Sequence, residues 1–127
     1  MKILVVDDSM VQRKMIIKII RDAGYQQEVL EAPDGQQAIQ QLGTHHKDVG
    51  LILCDWNMPV LSGIDFVEGV GKIPVLAKIP LIMVTTEGTE VKINEAKSKH
   101  PSLAGYLVKP FTSDQLKAKV EPFLKAL

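Results

Sequence analysis

The stretch VGLILCDWNMP, residues 49–59, begins as an apolar run and ends in an acid and a turn. Residues 49–54 do not alternate between apolar and polar side chains, which is typical of a strand buried on both faces of a parallel sheet. Asp55 follows directly, and Met58-Pro59 then turns the chain away. This order predicts a carboxylate that is held rigidly at the end of a core strand.

Four further apolar runs occur along the chain, and helical patterns of apolar residues separate them. The predicted strands are residues 3–6, 28–32, 49–54, 81–84 and 106–108. Predicted helices follow the N-caps Ser9, Asp34, Ser62 and Thr112, and the fourth of the five runs from Gly88 to about Lys99. Five β-α repeats predict an α/β fold with a parallel sheet and helices on both faces, because parallel strands need right-handed crossovers.

Length and composition limit the class of protein. The chain has 127 residues, of which 46% are hydrophobic, so we expect one domain over residues 1–127. Acidic and basic residues balance at 15 each, which argues against a nucleic-acid partner. Cys54 is the only cysteine, and Met1-Lys2 leads into the first strand without a signal peptide. Because no apolar run approaches the roughly 20 residues that span a membrane, we predict a soluble cytoplasmic protein.

Polar side chains follow four of the five predicted strands. They are Asp7-Asp8, Asp55, Thr85-Thr86 and Lys109. In such sheets the ligand site lies outside the carboxyl ends of the strands, so these residues are expected at one edge. Carboxylates about 5 Å apart repel by roughly 3 kcal/mol per pair at an effective dielectric of about 20, so three of them need a cation. Oxygen ligands with spare positions for water suit Mg²⁺.

Lysine and threonine beside a metal are groups that hold a phosphoryl oxygen, so the set favours an aspartyl phosphate. Four motifs in this order resemble those of the response-regulator receiver family: VVDDS at 5–9, CDWNMP at 54–59, MVTTE at 83–87 and GYLVKPF at 105–111. The whole chain is similar to receiver domains, most of all to single-domain chemotaxis members. The resemblance implies a flavodoxin-like (βα)5 three-layer sandwich with the strand order 2-1-3-4-5.

The resemblance also implies a metal and acceptor role for the acids. Asp55 would accept the phosphoryl group. Asp8 would bind Mg²⁺ together with Asp55 and the backbone carbonyl of Asn57, whereas Asp7 would act mainly through a bound water.

For the remaining strand ends, the resemblance implies a switch. Thr85 and Lys109 would each bind a phosphoryl oxygen, and Tyr106 would turn inward as Thr85 moves. The Lys109-Pro110 peptide is expected to be cis. The implied modulators of dephosphorylation are Asn57, Thr86 and Glu87.

The implied partners are a histidine kinase as phosphodonor and a separate target, such as a flagellar motor switch component or a phosphotransferase. The target would bind the face around the fourth predicted helix, Tyr106 and the last helix. Chemotaxis is the favoured role, and a relay intermediate is second. A small Mg²⁺-dependent phosphohydrolase is a third hypothesis, although Asn57 stands where such enzymes place a second acid. We expect a monomer, with dimerisation on activation left open, that catalyses only its own phosphoryl transfer and hydrolysis.

Other conspicuous side chains are interpreted as structural. Trp56 is expected to border the site as a partly exposed packing residue. The residues assigned to solvated loops, helix faces or the surface are His45, His46, His100, Lys92, Lys97 and Lys99. The residues expected to fill the core include Met10, Val11, Met15 and Ile39.

Overall fold

The computed structural model of the protein describes all residues, 1–127. The strands are β1 (Lys2–Val6), β2 (Val29–Ala32), β3 (Val49–Cys54), β4 (Leu81–Thr85) and β5 (Gly105–Val108). The helices are α1 (Met10–Asp22), α2 (Gly35–His45), α3 (Gly63–Gly71), α4 (Pro74–Ala77), α5 (Glu90–Lys99) and α6 (Ser113–Leu124). Each predicted strand is therefore present, within one residue of its predicted bounds.

The five strands form one parallel sheet in the order β2-β1-β3-β4-β5. This order confirms the flavodoxin-like prediction. β3 lies at the centre, and all of its residues are buried. Residues of α2, α3 and α5 form an apolar cluster on one face of the sheet, and residues of α1 and α6 form another on the opposite face. The molecule is thus a three-layer α/β sandwich.

Side-chain caps fix where the helices begin. Ser9, Asp34 and Ser62 each accept a hydrogen bond from the backbone N–H three residues further on. Thr112 forms a full capping box with Gln115. Each cap satisfies a backbone donor that the helix leaves free and stabilises the helix by about 1 kcal/mol.

The prediction of five helices misses one short element. α4 covers only Pro74–Ala77, and Pro74 stands in its first turn, where the absent N–H leaves no hydrogen bond unmade. The helix expected as the fourth is therefore α5. None of the helices combines the length and the apolar composition that crossing a membrane requires.

Several apolar residues lie outside the core, contrary to expectation. They are Met10, Val11, Met15 and Ile39. α1 fully buries only Ile16 and Ile20, so its contact with the sheet is narrower than its apolar face. Trp56 is more buried than expected: its side chain is only 6% exposed and belongs to the core. His45 is the last residue of α2 rather than part of a loop, whereas His46 is the C-cap and lies in the turn before β3.

His100 is buried rather than at the surface. It is the C-cap of α5, its side chain is fully buried, and it lies against Gly71 at the end of α3. Neither ring nitrogen has a hydrogen-bond partner in the protein. Burial disfavours the imidazolium and lowers the pKa of His100 below its usual value of 6.5.

We expect His100 to make the protein less stable in mild acid. Well above pH 6.5 the imidazole is neutral in both the folded and the unfolded state. Between that value and the lower folded-state pKa, the unfolded state binds more protons, so the free energy of unfolding falls as the pH falls. His100→Leu should flatten this part of the profile in urea denaturation from about pH 7 to about pH 5. The half-buried His45, changed to Leu, is the control, and equal slopes for wild type and His100→Leu would contradict the prediction.

Candidate functional site

The sheet carries the polar residues that follow its strands to one edge. The last residues of β1 and β3 pair in register, so Asp7 and Asp55 leave the sheet side by side. Lys109 follows β5, and its backbone N–H donates to the carbonyl of Thr85, the last residue of β4, at 2.8 Å. Four separate strands therefore position one group of side chains.

Three carboxylates meet at this edge. Asp7, Asp8 and Asp55 each offer an oxygen, and these oxygens lie within 4.8 Å of one another. Asp7 and Asp55 are only 2% and 8% exposed, whereas Asp8 is exposed. At this separation each pair of charges repels by about 3 kcal/mol at an effective dielectric of about 20. The arrangement is stable only if cations compensate it.

Lys109 supplies one of these cations. Its Nζ lies 2.7 Å from Oδ2 of Asp7 and 3.4 Å from Oδ2 of Asp55. One ammonium against three carboxylates leaves the cluster with two excess negative charges. The Lys109-Pro110 peptide, which follows this contact, is cis.

The remaining charge fits a divalent cation. The donors of the cluster are carboxylate oxygens only, which select hard metals, and the exposed side of Asp8 leaves room for water ligands. Mg²⁺ keeps several waters and is held in many proteins by one or two carboxylates. The side chains present therefore fit the predicted Mg²⁺ site. The role of the Asn57 carbonyl in it stays a prediction.

Asp55 is oriented by its own neighbour. Its Oδ1 accepts a hydrogen bond from the backbone N–H of Trp56 at 2.7 Å, which leaves Oδ2 directed toward Lys109. Cys54 precedes it and is fully buried. Burial, together with the charges of Asp55 and Asp7, raises the pKa of the Cys54 thiol well above its usual range, so the thiol does not compete as a nucleophile.

Glu87 connects the two predicted switch residues. The hydroxyl of Thr85, which is fully buried, accepts a hydrogen bond from the Glu87 N–H at 3.3 Å. The Tyr106 hydroxyl donates to the Glu87 carbonyl. Burial, with the charges of Glu87, Asp55 and Glu95, raises the pKa of Tyr106 to about 12, so its hydroxyl remains a donor. Because both hydroxyls bind the backbone of Glu87, a movement of Thr85 would change the hydrogen bond of Tyr106.

The predicted modulators of dephosphorylation lie in the loops that follow β3 and β4. The side-chain amide of Asn57 donates to Oε1 of Glu87 at 2.9 Å, which links the loop after β3 to the loop after β4. Thr86 is exposed beside them.

Arg13 is a residue of the site that sequence reasoning missed. Its guanidinium donates to the backbone carbonyl of Asp7 and to Oε1 of Glu31. Burial raises the pKa of Glu31, but hydrogen bonds from Lys14 and Arg13 outweigh it and hold that pKa below its usual value. The position of Arg13, one turn after the N-cap Ser9, could have suggested that it reaches back toward the acids.

Lys92 also departs from its predicted role. The sequence predicts that it lies on a solvated helix face, but its Nζ lies 5.0 Å from the centre of the Trp56 ring. A cation at this distance from an indole is attracted to the face of the ring. This contact joins α5 to the residue next to Asp55. Lys97 is exposed as expected, and Lys99 lies 3.8 Å from Glu95.

The loop after β3 contains a strained residue. Val60 has φ of +67° and is 76% exposed. A left-handed conformation costs about 1–2 kcal/mol for a residue with a Cβ, and a β-branched residue adopts it rarely. We expect Val60→Asn to raise the free energy of unfolding by about 1 kcal/mol in urea denaturation, because Asn tolerates this region. Val60→Ala removes the same apolar surface and should gain less; a larger gain from Ala would contradict the explanation by strain.

Comparison with known proteins defines the class. The model of the response regulator receiver domain matches residues 3–121 of the chain. The protein therefore belongs to the response regulator receiver family.

Its relatives include chemotaxis proteins. Chemotaxis protein CheY1 of Helicobacter pylori is 40% identical over 124 residues, which cover 98% of this chain and 97% of the relative. Chemotaxis protein CheY of Pseudomonas aeruginosa is 40% identical over 121 residues, 95% of this chain and 94% of the relative. The solved structure of the chemotaxis response regulator CheY4 of Vibrio cholerae superposes with a TM-score of 0.83 at 34% identity, covering 96% of this chain and 97% of that one. The chain is thus related to CheY in both sequence and fold.

Proposed function

We propose that the protein is a phosphorylation switch that accepts a phosphoryl group on Asp55 from a histidine kinase. The observation that carries this proposal is the convergence of Asp55 with two further acids and the Lys109 ammonium at one edge of the sheet. Family membership supports it. The proposed unit is a single receiver domain over residues 1–127, acting in the cytoplasm.

The chemistry follows from the orientation of the carboxylate. Oδ2 of Asp55 attacks the phosphorus, a P–O bond forms, and the bond from phosphorus to the donor nitrogen breaks. Lys109 then moves from the Asp7 carboxylate to a phosphoryl oxygen, where its charge stabilises the developing negative charge. Mg²⁺, when bound by Asp8 and Asp55, would supply the positive charge that lets an anionic donor approach the acids.

The conformational response uses the contacts of Glu87. In the proposal, Thr85 releases the Glu87 N–H to bind a phosphoryl oxygen, and Tyr106 turns inward as that loop rearranges. A phosphoryl group shifts the population only if it interacts differently with the two conformations, and Thr85 and Lys109 provide that difference. The changed face includes α5, β5 and α6, where a target would bind.

The favoured target is a component of the flagellar motor switch, because the similar curated proteins are named as chemotaxis proteins. A relay role that passes the phosphoryl group to a phosphotransferase is the alternative within the same chemistry. An enzyme acting on external phosphomonoesters is not favoured, because Asn57 lacks the acid such an enzyme needs and instead donates its amide to Glu87.

Trp56 provides the test. It is the only tryptophan, it is buried, and its backbone N–H donates to the Asp55 carboxylate. Acetyl phosphate or beryllofluoride with Mg²⁺ should change its emission, and intact-mass analysis should show one phosphoryl group on Asp55 after acetyl phosphate. Unchanged emission together with unchanged mass would favour a degenerate receiver that acts only by binding. Sustained phosphomonoester turnover, faster than hydrolysis of its own acyl phosphate, would favour the enzyme.

We expect Lys109→Arg to separate labelling from switching. The guanidinium keeps a positive charge beside Asp7 and Asp55, so phosphoryl uptake should persist. Its planar fork cannot take the position of a compact ammonium, so the change in Trp56 emission should fall below about half of the wild-type change. Mass analysis and fluorescence on the same sample measure the two effects. Loss of phosphoryl uptake in Lys109→Arg, or full uptake with an undiminished change in Trp56 emission, would contradict these roles.

A further inference from the structure

An apolar groove of about 310 Å³ lies between the second half of α2 and the segment formed by the end of α3 and α4. We call it the α2–α3 groove. Ile39, Ile73 and Val75 line it and are 50%, 46% and 44% exposed. Its volume is near the lower limit of about 300 Å³ for binding pockets, which suits a few inserted side chains.

The segments that border the groove are depleted of charge, and the charges they have are all basic. Residues 35–47 contain Lys47 as their only Asp, Glu, Lys or Arg, and residues 69–80 contain only Lys72 and Lys78. The chain as a whole is 24% charged. The cores of protein interfaces show the same depletion. Of the flanking acids, Asp48 is exposed, and Glu68 lies 3.9 Å from both Lys72 and Lys99.

Two glycines lower the walls of the groove. Gly43 in α2 and Gly69 in α3 line it, and a Cβ at either position would meet no atom within 4 Å. Glycine inside a helix makes the helix less stable than alanine does, because glycine loses more backbone entropy on folding. Nothing within the chain therefore requires these glycines. The absence of side chains at these two positions leaves the helix backbones open to close approach by a second molecule.

We propose that the α2–α3 groove docks an amphipathic helix of a partner protein, whose apolar side chains enter the groove. Its flanking Asp or Glu residues would face three exposed lysines that lie outside the groove but close in the chain to its lining residues: Lys47 follows His46, Lys72 precedes Ile73 and Lys78 comes two residues after Leu76. Helices are bound in grooves by such spaced apolar anchors. A second copy of this chain fits poorly, because a two-fold contact would bring the same lysines opposite one another. A lipid surface fits poorly too, since the exposed apolar residues line a concavity.

The groove lies away from the acidic edge. α2 and α3 begin near the carboxyl ends of the strands and run back along the sheet, and the groove is formed by their later residues. An occupant would leave Asp55 accessible. Docking is therefore independent of the phosphorylation chemistry. It would hold the protein near a partner whether or not Asp55 is phosphorylated.

Two synthetic helical peptides test the proposal. Both have leucines at helical spacing; one has glutamate flanks and the other lysine flanks. The glutamate peptide should bind, shift the NMR amide signals of residues 36–46 and 69–77, and bind at least about tenfold more tightly than the lysine peptide, a difference of about 1.4 kcal/mol. Ile39→Glu places a repelling charge in the groove and should weaken binding about tenfold.

Gln40→Glu is the matched control. It adds the same charge to the next, exposed residue of α2, which does not line the groove, so the glutamate peptide should bind it as it binds wild type. Ile39→Glu should still take up a phosphoryl group on Asp55, so a failure here is distinct from a failure of the proposed function. Absent binding, equal affinity for both peptides or shifts elsewhere would overturn the proposal. If the protein self-associates in sedimentation and Ile39→Glu abolishes this, the occupant of the groove is a second copy of the chain. If the protein binds anionic vesicles and Ile39→Glu abolishes this, the occupant is a lipid surface. Either result would overturn the proposal.

Discussion

Replacing Asp55 with Asn is expected to abolish the uptake of a phosphoryl group from acetyl phosphate. The amide that replaces Oδ2 is not a nucleophile at neutral pH, and no other carboxylate has the same pair of contacts, to the Trp56 N–H and to Lys109. The remaining amide oxygen can still accept the Trp56 hydrogen bond, so the fold should persist. Intact-mass analysis with Mg²⁺ and acetyl phosphate measures the loss, which should be complete.

Asp65→Asn gives a control of the same chemistry. Asp65 is exposed in the first turn of α3, and its change should leave labelling at the wild-type level. Asp55→Asn also removes one of three mutually repelling charges, so urea denaturation without metal should find it at least as stable as wild type. If Asp55→Asn is still labelled, the residue that accepts the phosphoryl group is not Asp55. Lost labelling in an unfolded variant would instead contradict the expected stability.

The residues that meet at the edge of the sheet could be predicted from the sequence, because each of them directly follows an apolar run. Asp7, Asp55, Thr85 and Lys109 each come at the end of an apolar run, and parallel strands bring such ends together whatever the details of packing. The N-caps are equally local, since a capping side chain reaches only three residues along the chain. The strand order itself came from the resemblance, because residue patterns do not fix the pairing of strands.

Packing across the molecule was less predictable. The apolar periodicity of α1 indicates which face turns inward, but not how much of that face the sheet covers, so Val11 is exposed although Ile16 in the same helix is buried. α4 is too short to show any periodicity. His100 looks polar in the sequence, yet α3 and α5 enclose it, because burial depends on neighbours distant in the chain.

Contacts of the site that depend on close approach were also missed. Arg13 reaches the Asp7 carbonyl because it lies in the first turn of α1, close to the end of β1. Gly63 gave no sequence signal beyond following the N-cap Ser62. In the structure, its backbone N–H donates to the carbonyl of Trp56 at 2.8 Å. The start of α3 therefore lies directly against the loop of residues 55–62, here called the acceptor loop because it begins with Asp55.

Gly63→Ala is therefore expected to have the largest effect on stability. A Cβ at this position would lie 1.6 Å from the carbonyl oxygen of Asp55 and 2.9 Å from the Cα of Trp56. Both are backbone atoms, so no side-chain rotation relieves the overlap and either α3 or the acceptor loop must move. We expect the free energy of unfolding to fall by about 3 kcal/mol or more, measured by urea denaturation. Phosphoryl uptake by the folded fraction should also fall, because the shift displaces Asp55 from Lys109.

Gly69→Ala provides the comparison within the same helix. A Cβ there meets no atom within 4 Å, so alanine should raise the free energy of unfolding by about 0.5–1 kcal/mol through its better helix propensity. The two substitutions add the same methyl group to α3 and should move stability in opposite directions. If both substitutions stabilise the protein, the explanation by overlap between the new Cβ and the Asp55 carbonyl is wrong. If both destabilise, helix propensity does not govern the end of α3, and the loss at Gly63 cannot be assigned to that contact alone.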